Sequence, residues 1–157
     1  MGQINLARVD DRLIHGKVMQ KWTKGKGTDT VIVVDNATAA DDFMKSIYVS
    51  TNSTGGLKIR VYSTEEVAES WKKDQFGDAK VALIFKNVKE VKEALDKGLE
   101  LTELNIGGAA KKPKSKAFIP DVSLTEEEQN LVRKISDNGV EVFFQSVPES
   151  KRVDFKA

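Results

Sequence analysis

Apolar and polar positions along the chain follow two alternating periodicities. Runs such as Thr30 to Val34 (TVIVV) and Val81 to Phe85 (VALIF) are almost wholly apolar, which is typical of strands buried on both faces. Between the runs, apolar residues recur at spacings of three, as in Val88, Val91 and Ala94, which predicts amphipathic helices. The pattern therefore predicts strands and helices in alternation along the chain.

The predicted elements follow in chain order. Strands are predicted over residues 4–9, 30–34, 57–62, 81–85, 103–106 and 140–147. Helices are predicted over residues 14–22 and around 43–48, then after capping patterns at Ser63 with Glu66 and Asn87 with Glu90, and finally from a cap at Ser123 or Thr125. Gly107 and Gly108 are predicted to open a lysine-rich loop, and Trp22, Trp71 and the helix-spaced Phe and Tyr residues to lie in the core.

This alternation predicts the fold class. Parallel strands need crossover connections, so repeated strand and helix units indicate an open, mostly parallel, doubly wound α/β sheet of about six to seven strands, with helices on both faces. No linker-like stretch interrupts residues 1–157, which we expect to form a single domain. In such sheets ligands bind beyond the carboxyl ends of the strands. A functional site is therefore expected in the loops after Val9, Val34, Tyr62, Phe85 and Ile106.

Composition narrows the function classes. Lys and Arg number 25 against 24 Asp and Glu, a net charge of +1, so no global field attracts nucleic acid and no nucleic-acid partner is expected. The chain has no cysteine and one histidine, which argues against disulfides, thiol nucleophiles and most transition-metal sites. We expect no metal and no cofactor. The N-terminal sequence has neither a signal peptide nor a membrane span, so a cytoplasmic location is expected.

The first of these loops carries the densest chemistry in the sequence. It contains the only histidine, His15, at the predicted start of a helix, where unpaired backbone N–H groups and the helix dipole favour an anion. Gly16 allows close backbone approach, and Arg8, Arg12 and Lys17 supply positive charge suited to phosphate oxygens. A lone histidine at a helix start is also a common surface or capping residue. The surrounding charges favour a phosphate-sized anion site.

A histidine in such a site suggests phosphoryl transfer. Near neutral pH an unprotonated imidazole nitrogen can attack phosphorus, and arginines and backbone amides can stabilise the transition-state charge without a metal. Asp10 and Asp11 fit two roles: one of them accepts a hydrogen bond from the second ring nitrogen and orients His15, or both form salt bridges to Arg8 and Arg12. Spacing alone leaves both roles open.

Four sequence strings resemble one known family. The specific string is RVDDRLIHGKV, and VIVVDNA, LIFKNVKEV and LNIGGAA support it along nearly the whole chain. Together they resemble the B component of the mannose/fructose/sorbose-type sugar phosphotransferase system. The resemblance implies a phosphocarrier that accepts a phosphoryl group on His15 from the A component. It then passes the group to sugar entering through the C and D membrane components, with which it associates peripherally.

The resemblance also implies roles for individual residues, and the sequence departs from the family pattern at two places. Arg8 and Arg12 match the family's basic residues around the loop, and Asp10 and Asp11 match its acidic pair. Lys17 stands where the family commonly has Gln, and residues 54–56 read Thr-Gly-Gly where it commonly has Pro-Pro-Gly.

Two other functions fit parts of the pattern. A magnesium-dependent receiver domain would use an acidic pair after the first strand together with Lys86, but it needs an aspartate after the third strand, which ends at Tyr62 and Ser63. A mononucleotide-binding module would need a glycine-rich first loop, and this loop has one glycine. The lysine run at residues 111–116 is typical of a solvated loop, and docking to an acidic partner is its alternative interpretation.

Overall fold

The computed structural model describes residues 2–13, 21–23, 27–50 and 57–155. Within these residues the strands are β1 (Gln3–Asp10), β2 (Thr30–Val34), β3 (Lys58–Tyr62), β4 (Lys80–Phe85), β5 (Glu103–Gly108), β6 (Lys116–Ile119), β7 (Val122–Leu124), β8 (Glu141–Phe144) and β9 (Val153–Asp154). The helices are α1 (Asn36–Ala39), α2 (Asp42–Val49), α3 (Thr64–Asp74), α4 (Val88–Asp96) and α5 (Glu126–Asp137). Residues 21–23 are also helical, while most of the predicted helix over residues 14–22 lies outside the described residues.

Seven of the strands form one sheet in the order β3-β2-β4-β1-β5-β8-β9. All neighbours pair in parallel except β9, which runs antiparallel to β8. β1 lies in the middle, between β4 and β5, so the loop that follows it leaves from the centre of the carboxyl edge. The predicted open, mostly parallel α/β sheet is confirmed.

The sheet is buried on both faces, as its apolar strands predict. One face packs α3, α4 and α5 through residues such as Val67, Val91 and Ile135. The opposite face packs Leu13, Trp22 and partly buried Tyr48 of α2 against β2, β3 and β4. Helices therefore cover both faces, and the residues that flank the histidine loop belong to the second face.

Side-chain caps fix the helix starts on the first face. Ser63 and Glu66 form a reciprocal capping box at α3, and Thr125 and Glu128 do the same at α5. The Asn87 side chain accepts a hydrogen bond from the Glu90 backbone N–H at the start of α4. The capping patterns are confirmed, and Thr125 rather than Ser123 begins the last helix, because Ser123 lies within β7.

Several predictions around the fifth strand are wrong. Gly107 and Gly108 do not open a loop but belong to β5, and the lysine-rich segment leads into the hairpin of β6 and β7. The last predicted strand ends at Phe144, and β9 was not predicted. The β6 sequence KAFI is short and largely exposed, so it carries little of the apolar signal by which strands are recognised.

Helix α2 also differs from expectation in its packing. The sequence predicts that its Phe and Tyr residues lie in the core, yet Phe43 is 72% exposed, and Met44 and Ile47 on the same apolar stripe are exposed as well. Trp22 is buried and Trp71 is partly buried against the first-face core, as predicted. Periodicity predicts a helix correctly here, but it does not tell whether another element covers the apolar side.

Candidate functional site

The candidate site is the loop that leaves β1 at the centre of the sheet's carboxyl edge. Val9 pairs with Phe85 on β4 and with Ile106 on β5, so the chain reaches the edge between two buried strands. The Asp11 backbone N–H then donates to the Gly108 carbonyl at 3.0 Å, which extends the β5 pairing into the loop. The first residues of the loop are therefore fixed by the sheet itself.

The buried Asp10 carboxylate organises this loop. Its Oδ1 accepts hydrogen bonds from the Arg12 backbone N–H at 3.1 Å and from Arg12 Nε at 3.0 Å. Its Oδ2 accepts from the terminal nitrogens of Arg12 and Arg8, each at 3.2 Å. Asp10 therefore connects a guanidinium beneath the loop with one at its surface.

The Arg12 guanidinium lies at the surface end of this arrangement. Its side chain is 50% exposed. The side-chain hydrogen bond with Asp10 raises the pKa of Arg12, so the group stays charged. A guanidinium that is fixed on one side and open on the other can donate its remaining N–H groups to an anion. Arg12 therefore fits the phosphate-binding role that the sequence predicts.

Arg8 has a different environment. Its side chain has no exposed surface and donates to Asn105 Oδ1 at 2.5 Å, to the carbonyls of Gln145 at 3.1 Å and Ser146 at 2.8 Å, and to Asp10. Burial lowers the pKa of Arg8, and the Asp10 carboxylate opposes that shift. The structure thus places Arg8 beneath the loop and not at its surface, where a phosphate ligand was expected.

Asp11 points away from Asp10. Its Oδ2 accepts from the Ala110 backbone N–H at 2.7 Å, and its carbonyl oxygen accepts from Lys86 Nζ at 2.6 Å. The structure therefore gives different contacts to the two aspartates, which the sequence alone could not distinguish. Asp10 pairs with the arginines, and Asp11 attaches the loop to the segment after β5.

Leu13 turns the chain at the end of the described loop. Its φ of 58° lies in the left-handed region, and its side chain is buried in the second-face core. The Leu13 backbone N–H donates to the Asp10 carbonyl at 2.9 Å. A non-glycine residue adopts this conformation at a cost, which burial of the leucine side chain offsets.

The two glycines of β5 make room for the charged side chains. A Cβ atom on Gly107 would lie 2.0 Å from an Arg8 guanidinium nitrogen, and one on Gly108 would lie 2.5 Å from Asp10 Oδ1. Close approach of strand backbone to a neighbouring group is a recognised use of glycine within a strand. The glycines therefore form the floor of the site from within β5, and not as the start of a loop.

His15, Gly16 and Lys17 lie outside the described residues. The sequence assigns the phosphoryl acceptor to His15 and phosphate binding to Gly16 and Lys17. These assignments remain predictions. The described parts of the site are the residues immediately before this segment and, at residues 21–23, immediately after it.

A cleft of about 480 Å³ adjoins the loop on the first face. Its floor is apolar, with Val9, Val88 and Leu131, and its rim carries Lys86 and Lys112. Lys112 Nζ forms an ion pair with Glu128 at 3.0 Å. The segment after β5 is thus joined both to the site, through Ala110, and to the start of α5.

A buried carboxyl pair that sequence analysis did not identify lies after β2. Burial, together with a hydrogen bond with Asp35, raises the pKa of Glu90 to about 8. The Asn36 backbone N–H donates to Glu90 Oε2 at 2.6 Å and opposes this shift. For Asp35, burial acts to raise the pKa, but hydrogen bonds from Glu90 and Thr38 outweigh it and lower the pKa. Glu90 therefore holds the proton near neutral pH. Only the capping pattern at Asn87 singles out Glu90 in the sequence, and it gives no sign of the pairing with Asp35.

Residues 2–13, 21–23, 27–50 and 57–155 contain neither a metal-ligand cluster nor a membrane-spanning helix. No group of three or more His, Cys, Asp or Glu side chains in these ranges is placed to hold a metal ion. Of the helices they contain, none has the length and apolar character needed to cross a membrane.

The chain is similar to proteins of one family along its whole length. The family model of the PTS system sorbose subfamily IIB component matches residues 4–157. The N-acetylgalactosamine-specific phosphotransferase enzyme IIB component 1 of Escherichia coli is 31% identical, over 95% of this chain and 94% of that protein. The crystal structure of manxB from Thermoanaerobacter tengcongensis is 37% identical, with a TM-score of 0.88 over 98% of this chain and 93% of that one.

One longer relative is also similar. The mannose-specific EIIAB component of Escherichia coli is 29% identical over 96% of this chain and 47% of that protein, so the chain spans about half of its length. The family model covers almost the entire chain, and the chain therefore belongs to the sorbose subfamily of IIB components of the sugar phosphotransferase system.

Proposed function

We propose that this IIB component accepts a phosphoryl group on His15 from a protein partner and passes it to a sugar. The group comes from a phosphohistidine of the A component and goes to sugar at the C and D membrane components, with which the protein associates peripherally. The observation that carries the proposal is the Asp10 and Arg12 arrangement: a fixed, half-exposed guanidinium stands three residues before the only histidine.

The chemistry consists of two displacements at phosphorus. An unprotonated ring nitrogen of His15 attacks the phosphorus, a new N–P bond forms, and the N–P bond to the donor histidine breaks and returns its electron pair to that ring. In the second step a sugar hydroxyl attacks, the His15 N–P bond breaks, and the hydroxyl proton is released. Each step needs positioning and charge stabilisation rather than redox chemistry or a resident cofactor.

Arg12 supplies the charge stabilisation in this account. The transition state spreads negative charge over three equatorial oxygens, and a guanidinium can donate to two of them. Because Asp10 already fixes Nε and one terminal nitrogen, Arg12 meets the phosphoryl group without first being ordered. Gly16 and Lys17 complete the proposed phosphate-binding set.

Arg8 and Asp10 support this arrangement from below. The Arg8 side chain has no exposed surface, so we assign it to positioning and not to direct phosphate contact. Asp10 holds Arg12, and orientation of the His15 ring by Asp10 is the second role we propose for it. No metal takes part in this scheme.

Membership of the family supports the proposed partners. IIB components take part in sugar phosphotransfer, and the name of the mannose-specific relative joins A and B in one protein. A separate or fused A component is therefore the proposed donor. This chain does not contain the contacts of the membrane components with the sugar. We therefore propose that the membrane components determine which sugar is transported.

The test is the chemical class of the phosphoadduct. The protein is incubated with a phosphorylated A component in the presence of a metal chelator and without nucleotide, and the adduct is then exposed to acid and to base. We expect an adduct that forms under these conditions, is labile in acid and is stable in base. An adduct that needs magnesium and is lost in base would support the receiver-like alternative, and thermal stabilisation by nucleotide without any adduct would support the nucleotide-binding one.

A further inference from the structure

The buried Arg8 side chain connects the two ends of the segment that contains His15. Asp10, which accepts from Arg8 at 3.2 Å, precedes that segment, and Trp22 follows it. The Arg8 guanidinium carbon lies 5.2 Å from the centre of the Trp22 ring, a cation–π distance. One guanidinium therefore contacts residues on both sides of the histidine segment.

A single backbone carbonyl, two residues after β8, accepts hydrogen bonds from both Arg8 and Trp22. The Ser146 carbonyl oxygen accepts from Arg8 at 2.8 Å and from Trp22 Nε1 at 3.2 Å. Asn105 on β5 accepts from Arg8 and donates through Nδ2 to the Gln145 carbonyl at 3.1 Å. The segment after β8 is thus the common anchor of Arg8, Trp22 and Asn105.

The fit around the guanidinium is tight. A Cβ on Gly107 would lie 2.0 to 2.3 Å from three of its atoms, so the β5 backbone packs directly against the charge. Even an alanine at this position would require Arg8 to move. The sequence pair Gly107 and Gly108 therefore keeps the guanidinium and the Asp10 carboxylate in place at neighbouring positions of one strand.

Stability alone is a poor explanation for this arrangement. Arg8 Nε is the one buried side-chain nitrogen or oxygen within the described ranges that has no hydrogen-bond partner. Buried ion pairs commonly stabilise a fold no more than apolar side chains of similar volume do. A costly buried charge beside a reactive loop instead points to a positioning role.

We propose that Arg8, Trp22 and Asn105 form a positioning clamp that fixes the two ends of the histidine segment relative to Asp10 and Arg12. Arg8 acts through Asp10 on one side and through the Trp22 ring on the other. This inference rests on the proposed function of the loop. It assigns to Trp22 a role beyond the core packing that the sequence predicts.

The test compares two variants of one side chain. Trp22→Phe keeps an aromatic ring over Arg8 and loses the hydrogen bond to the Ser146 carbonyl, whereas Trp22→Leu loses both the ring and this hydrogen bond. Transfer from the phosphorylated A component is measured in single turnovers at several donor concentrations and corrected for the folded fraction. We expect Trp22→Leu to lower the limiting rate constant about 10²-fold with donor affinity within about twofold, as for a misplaced catalytic group. Trp22→Phe should recover most of the rate.

Gly107→Ala provides a second measurement that does not depend on phosphoryl transfer. Amide hydrogen exchange is followed in residues 9–13 and, as a reference, in α5. We expect faster exchange in residues 9–13 of Gly107→Ala and Trp22→Leu, with α5 unchanged. Trp71→Phe, a substitution in the other core, is the matched control and should change neither exchange nor transfer.

The outcomes separate the two proposals. If the wild-type protein takes no phosphate, the proposed function fails, and the exchange experiment still decides whether the clamp holds the loop. If the wild type is phosphorylated and Trp22→Leu transfers at the wild-type rate, or if exchange in residues 9–13 is unchanged in both variants, the clamp is wrong.

Discussion

Arg12 and Asp10 are joined by three hydrogen bonds, two from the Arg12 side chain at 3.0 and 3.2 Å and one from its backbone N–H at 3.1 Å. This relationship fixes the direction of a guanidinium that is otherwise half-exposed. In the proposed reaction it places positive charge where phosphoryl oxygens arrive. Substitutions of the two residues should therefore affect activity and stability differently, because Arg12 is at the surface and Asp10 is buried.

Arg12→Lys should reduce phosphoryl transfer much more than it reduces stability. A lysine keeps the charge but lacks the planar fork that contacts a carboxylate on one edge and an anion on the other. We expect the transfer rate constant to fall about 10²-fold. The free energy of unfolding should change by only about 1 kcal/mol, because lysine keeps the positive charge and Asp10 keeps its pairing with Arg8. Single-turnover transfer and chemical denaturation measure the two quantities. A transfer rate within a factor of two of wild type would contradict the role assigned to Arg12.

Asp10→Ala, unlike Arg12→Lys, should have a large effect on stability. It removes the carboxylate from the fully buried Arg8 guanidinium, and loss of one partner from a buried pair costs about 3–5 kcal/mol. Asp11→Ala is the matched control, because its carboxylate accepts an exposed backbone hydrogen bond, worth about 1 kcal/mol. Denaturant unfolding of both variants checks the difference. Equal losses would show that Asp10 does not hold the buried charge.

Glu90 gives the fold a pH dependence near neutrality. Its pKa is about 8 in the folded chain against an ordinary 4.5, so between these values the folded state holds a proton that the unfolded state has released. Stability should therefore fall as the pH rises through this window, by at most about 1.4 kcal/mol per pH unit.

Glu90→Gln removes this titrating group while keeping an amide that can donate to Asp35 and accept from Asn36. We expect its unfolding midpoint to depend less on pH than that of the wild type between the two pKa values. Glu69→Gln, at an exposed position of α3, controls for the loss of one negative charge. If Glu90→Gln and wild type show the same pH dependence, Glu90 is not the protonated partner of Asp35.

Much of the fold follows from the sequence because its signals are local. The apolar runs of β2 and β4 and the capping residues Ser63 and Thr125 act within a few residues, and the elements appear where they predict. The exposed apolar face of α2 and the hairpin of β6 and β7 cannot be predicted from such local signals. Whether an apolar stripe is covered, and whether a lysine-rich segment pairs, depends on elements elsewhere in the chain.

The candidate site is likewise only partly predictable from the sequence. The motif around Asp10 and Arg12 is contiguous, so the sequence identifies it. The burial of Arg8 depends on Asn105, Gln145 and Ser146, which lie 97 to 138 residues further along the chain. The sequence pattern is the same whether Arg8 binds phosphate directly or supports the loop from below. Only the tertiary packing distinguishes these two roles.

The most direct test of the central claim is the intact mass of the protein after incubation with a phosphorylated A component, with wild type beside His15→Gln and His15→Ala. Phosphorylation of His15 predicts a gain of one phosphate on the wild type and none on either variant, with all three proteins folded. A wild type that gains no phosphate from any of several A components, or a phosphate that persists on the His15 variants, would contradict it.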